Sequence, residues 1–192
     1  MEKRENVFNV RQITITAILL AICIVSQVFK NLSIFITGPI INLCLVLAVT
    51  IVNLPCAIVL SIITPITAYF IAASPVMMAV PGIIPLIMLG NIVLVVLAHF
   101  LLKKEVLKKD GLLSVKSYIM AFVCALGKGV FMGLTIALWL LPTFIPMESP
   151  LRGKLSVFQT TFSVFQFITA CIGFVYFFIV MIPLKKNMEN NV

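Results

Sequence analysis

Acidic residues are scarce in this chain. Six Asp and Glu stand against fourteen Lys and Arg in 192 residues, and charged residues of both signs make up only 10%. A soluble domain of this length carries roughly 25% charged residues, because its surface must face water. None of the six acids (Glu2, Glu5, Glu105, Asp110, Glu148 and Glu189) lies in a long apolar run. That disfavours a proton relay through membrane carboxylates and catalysis by paired acids. There is one histidine, His99, too few for most metal sites; an interfacial position at the end of a span accounts for it. The sequence has no GxxxxGK[ST], so it cannot cradle ATP in a P-loop, and it has no HExxH or GxSxG. The five cysteines, Cys23, Cys44, Cys56, Cys124 and Cys171, form no CxxC pair. They read as small buried hydrophobes. No internal repeat stands out, and no cofactor is implied.

What is present is apolar length. Hydrophobic residues make up 62% of the chain, and mean hydropathy is +1.22. About 20 apolar residues are needed to cross the hydrocarbon layer as a helix. Six runs qualify, at about 13–29, 33–52, 56–73, 77–102, 117–141 and 157–182. The expected fold is therefore all-α: a single polytopic domain over 1–192, with six transmembrane helices in a compact bundle. The first run has no clear small-residue cleavage site and reads as a span rather than a leader.

Prolines punctuate these runs. Asn53-Leu54-Pro55 and Ala73-Ser74-Pro75 separate spans, and PTFIPMESP, from Pro142 to Pro150, reads as a long non-helical loop. Pro39, Pro65 and Pro85 fall inside apolar stretches, where each is expected to kink or interrupt its helix and free carbonyls toward a cavity. Asn31-Leu32-Ser33 spells a glycosylation sequon, a weak signal alone.

The net charge of +8 is distributed by side of the membrane rather than as a nucleic-acid-reading face, so nucleic acid is not an expected partner. Lys3, Arg4, Arg11, Lys103, Lys104, Lys108, Lys109, Lys116, Lys185 and Lys186 all fall on one side if the chain crosses six times. Lys30, Arg152 and Lys154 fall on the other. The positive-inside rule then places both termini in the cytoplasm.

Polar residues inside the spans are the candidate site. Lys128 lies near the middle of the fifth run, where a lysine costs about 2.5–3.5 kcal/mol on insertion scales. Two readings fit it: a structural pairing with a backbone carbonyl, or a charge facing a hydrated cavity. Asn91, preceded by Gly90, lies at a similar depth in the fourth span. Gln159, Ser163, Gln166, Thr169 and Gly173 follow helical spacing along one face of the sixth. Interhelical hydrogen bonding and ligand binding are equally open for that stripe. Thr37, Asn42, Thr64 and Thr67 are further candidates. Lys128, Asn91 and Gln166 are expected to converge on one cavity in the outer half of the bundle. Ala121, Ala125, Gly129, Gly133 and Ala137, spaced by four, read as a close-packing stripe within the bundle.

These residues resemble a known family. A basic N-terminus leading into AxxxA at Ala17 and Ala21, then TGPIINLCLVLA, SIITPITAYF and IPLIMLGN, then an intramembrane lysine, is similar to the substrate-binding S component of energy-coupling-factor transporters. The resemblance runs over essentially the whole chain. It implies capture of a water-soluble vitamin or cofactor precursor from outside, at the plasma membrane of a bacterium. It implies docking, through Ala17 and Ala21, on a transmembrane T component joined to two cytosolic ATPases. The only tryptophan is Trp139, and the tyrosines are Tyr69, Tyr118 and Tyr176. An aromatic clamp would rest on phenylalanines, so no flavin or thiamine subtype is read. A stand-alone small secondary carrier or channel is the alternative, and a membrane enzyme or assembly factor is a third class.

Overall fold

The computed structural model describes residues 9–29, 34–108 and 110–190. Glu2, Lys3, Arg4, Glu5, Lys30, Lys109 and the Asn31-Leu32-Ser33 sequon lie outside the described residues, as does the side chain of Glu189. The described residues form helices and turns, with no strand among them. Six helical segments are long and apolar enough to cross a membrane. They comprise α1 (Val10–Val28), α2 (Ile34–Val52), α3 (Leu54–Ala72), α5 (Ile83–Val106), α6 (Val115–Phe144) and a last segment, Pro150–Asn187. A short helix, α4 (Pro75–Ala79), precedes α5. The last segment is broken into α7 (Leu155–Phe162) and α8 (Val164–Asn190). All-α architecture with six spans is thus the observed fold.

Local chemistry sets the boundaries. The Asn53 side chain accepts from the Cys56 N–H at 2.8 Å, with Pro55 in the first turn, so α3 starts one residue after α2 stops. The fourth span starts later than position 77. Pro75–Ala79 forms its own turn of helix, and Pro81-Gly82 turns the chain before Ile83. Pro85 therefore sits in the first turn of α5, where it removes no helical hydrogen bond. The proline-rich loop is also shorter than its composition suggests. Helix α6 runs through Pro142 to Phe144, and the connection beyond it tightens into a 3₁₀ turn at Pro150–Lys154.

The spans close into a ring. Helix α1 packs on α2 and α3, α3 on α5, α5 on α6, α6 on α8, and α8 back on α2. Helix α2 also touches α3 and α5 across the middle, and is the most buried span, whereas α1 is the least. Glycines allow the closest approaches. A Cβ at Gly173 would lie 2.7 Å from Asn42 Cβ, and one at Gly129 would lie 2.7 Å from Phe167 Cβ. The small-residue stripe of α6 does pack inside the bundle, against the α7–α8 segment.

The main apolar core gathers Leu45, Leu94, Cys124, Ala170, Phe174 and Phe177 toward one end of the ring. A second cluster, including Met77, Ile83, Met132, Ile136 and Phe162, packs α4, α5, α6 and α7 at the other. All five cysteines are free, and four are buried. His99 is half-buried in the wide last turns of α5, edge-on to Phe100. At the core end, Lys185 of α8 donates to the carbonyls of Val106 and Lys108, satisfying groups left over where α5 ends. Glu105 bridges to Lys108 at 2.7 Å and Lys116 at 3.6 Å.

Candidate functional site

Lys128 stands near the middle of α6 and is 3% exposed. Its ammonium donates to Asn42 Oδ1 and to Asn91 Oδ1, each at 2.7 Å. Both distances are in the range of charge-assisted bonds. Three spans, α2, α5 and α6, thus meet at one buried cation. The acceptors are side-chain amide oxygens rather than a backbone carbonyl.

This triad borders a cavity of about 430 Å³. Thr37, Gly38 and Ile41 of α2, Thr64 and Pro65 of α3, and Ile87 of α5 contribute to its walls. Phe158, Thr161 and Phe162 of α7 and Gln166 at the start of α8 complete them, together with the Ala73-Ser74-Pro75 connection. These are the starts of α2, α5 and α8 and the end of α3. The cavity therefore occupies the half of the bundle opposite the lysine-rich α5–α6 connection. Its volume falls within the usual range for small-molecule pockets, about 300–1,000 Å³.

Helices α2 and α3 run unbroken through Pro39 and Pro65, so neither proline interrupts its span, but Pro65 leaves one carbonyl of α3 without its helical donor. A proline has no N–H to offer the carbonyl four residues back, and here that carbonyl is Ser61 O. Asn91 Nδ2 approaches it at 3.5 Å, a long contact. The amide turned this way presents Oδ1 to Lys128. One turn along, Gln27 of α1, fully buried, donates from Nε2 to Thr64 O at 3.0 Å. Thr37 donates to Ser26 O at 2.9 Å, tying the end of α1 to the start of α2.

The sequence candidates separate into two groups. Lys128, Asn91, Gln166, Thr37, Asn42 and Thr64 all line the cavity. Gln159 and Thr67 do not. Gln159 donates from Nε2 to Ala137 O at 2.9 Å, on a groove between α6 and α7. The cause is the winding of α6. Over Gly133–Leu140 the helix is wide, with bonds five residues apart, as in Leu141 N–H to Ile136 O. The next donor in that register would be the N–H of residue 142, which proline lacks. Gln159 supplies the missing donor. The spacing from Gln159 to Gly173 also fails to make one face, because the helix breaks at Ser163, with φ −122° and ψ −82°. Ser163 N–H turns to Thr160 O at 3.4 Å, while its hydroxyl donates to Gln159 O at 2.6 Å. Gln166 then faces the cavity, whereas Thr169 packs against Gly38.

The site also draws on Gln27 and on the α7 wall of Phe158 and Phe162, none of them among the sequence candidates. Gln27 carried a signal, being an amide inside an apolar run. Ala17 and Ala21 are exposed on α1, on the side away from its buried residues Leu19, Cys23, Ser26 and Gln27.

Chemically, the site is a cation braced by neutral amides at the edge of an apolar chamber. No acidic residue lines it among the described residues. Such a site can hold and orient a ligand. No family model, curated protein or solved structure matches this chain.

Proposed function

We propose that this chain is the substrate-binding S component of an energy-coupling-factor importer, with the Lys128 cavity as its binding site. One observation carries the reading: a closed ring of spans holds a cavity of about 430 Å³ with a buried lysine, two amides and Gln166 at its border. Intramembrane ionisable groups that face a cavity are functional by default. The charge bias supports cytoplasmic termini and a cavity in the outer half. The substrate is then a small water-soluble molecule of the vitamin or cofactor-precursor kind, captured from outside at a bacterial plasma membrane. The absence of a P-loop fits a subunit whose energy comes from partner chains, a T-component membrane protein and two cytosolic ATPases.

Ala17 and Ala21 are the docking residues in this reading. Small side chains on an exposed helix face let a neighbouring backbone come close, and α1 is the span least covered by the rest of the chain. Replacing both alanines with tryptophan should abolish ATP-driven uptake and co-purification with a co-expressed T component. Retention of small-molecule ligand by the isolated chain should be nearly unchanged. Complex formation that survives the double substitution while ligand retention falls would place these alanines in the internal packing and remove the docking assignment.

A further inference from the structure

We infer that the ligand carries a single negative charge, a carboxylate on a compact apolar body, and that the carboxylate seats against Lys128. The inference rests on the cavity being a binding site and specifies what it binds.

The argument is an inventory of donors. An ammonium has three N–H groups. Two of those on Lys128 go to Asn42 and Asn91, leaving one. Asn42 gives its oxygen to the lysine, so its Nδ2 is left for the cavity, as is the side chain of Gln166. The threonines add no competing donor. Thr37, Thr64 and Thr161 each give their hydroxyl proton to a backbone carbonyl, those of Ser26, Leu60 and Val157. Around Lys128 the open groups are thus N–H donors, from its ammonium, from Asn42 and from the Gln166 amide, and their complement is an acceptor; the Gln166 and threonine oxygens stay available to accept from the ligand's body.

Charge sharpens the class. The oxygens that hold Lys128 are neutral, so they brace the cation without cancelling it. No acid lines the chamber among the described residues, nor does a second lysine or an arginine. A buried charge is costly unless it is paired. One anionic charge on the ligand balances the site. A phosphate dianion would exceed it in charge and in acceptor oxygens. The other walls, with Pro65, Ile87, Phe158 and Phe162, are apolar. They suit a hydrocarbon or ring body and disfavour a sugar-like one.

The test uses the full chain in nanodiscs and four probes: hexanoate, hexanamide, hexyl phosphate and acetate, each followed by calorimetry. Hexanoate is expected to bind at least about tenfold more tightly than hexanamide and hexyl phosphate, the loss typical of a hydrogen bond to a charged group. Acetate should bind more weakly still, for want of an apolar body. In Lys128→Met the preference for hexanoate over hexanamide should vanish. Equal binding of hexanamide, or tighter binding of hexyl phosphate, would overturn the carboxylate assignment and leave the cavity as a binding site. Equal binding of acetate would overturn the apolar body. No binding of any probe to the unaltered chain would overturn the binding-site reading itself. The probe series on unaltered protein decides the matter even if the Lys128 variant fails to fold.

Discussion

Two neutral amide oxygens at 2.7 Å hold the Lys128 ammonium in the middle of a span. Hydrogen bonds to a charged group contribute about 1.5–3 kcal/mol each, enough together to offset an insertion cost of about 2.5–3.5 kcal/mol. The lysine was conspicuous in the sequence because that cost is large. Its partner Asn42 was one candidate among several, because pairing across 86 positions leaves no local pattern. Gln159 shows the converse. Its spacing matched the cavity residues, yet it serves the carbonyl of Ala137 at 2.9 Å, which Pro142 leaves without a donor. Gln159→Leu should therefore destabilise the bundle by about 1–3 kcal/mol, the usual cost of an unsatisfied buried group, without changing ligand affinity. In a Pro142→Ala background the added N–H can reach Ala137 O, and the same substitution should cost measurably less. Thermal unfolding of the two single variants and the double variant checks this. Costs that add within about 0.5 kcal/mol would mean the two residues are not coupled.

At the scale of elements, hydropathy was sufficient to count the spans but not to follow them. The late start of α5, the continuation of α6 through Pro142 and the break at Ser163 all depend on backbone bonding that changes register, from four residues to five or to three. Propensity alone does not report such changes, since a proline is tolerated wherever its missing N–H has no waiting carbonyl, or another donor serves that carbonyl. The contact between α2 and α8 is the element-level device that places the site. Asn42 is held on α2 where Gly173 of α8 comes closest, a Cβ there lying also 3.0 Å from Pro39 O. Gly173→Ala should separate these helices, lower stability by about 1–3 kcal/mol as overpacking does, and weaken ligand binding by moving Asn42 off Lys128. Gly153→Ala, where an added Cβ meets nothing within 4 Å, should leave both unchanged. Thermal shift and calorimetry on the pair make the comparison, and equal behaviour of the two variants would show that the close approach does not position the site.

At the scale of the whole molecule, the six-span fold was legible because scarce charge and long apolar runs admit few alternatives. The location of the cavity was legible only in part: Lys128, Asn91 and Gln166 were placed at one depth by counting along helices, but the ring that brings those helices together is a packing result. The central claim is that this ring holds one small ligand at Lys128. Native mass spectrometry of the chain ejected from nanodiscs tests it most directly, comparing the unaltered protein with Lys128→Met and with the Ala17→Trp, Ala21→Trp double variant. The account predicts one adduct of a single defined mass per chain on the unaltered protein and on the double variant, and its loss from a folded Lys128→Met. The absence of any adduct on the unaltered protein, or its undiminished presence on Lys128→Met, would contradict the account.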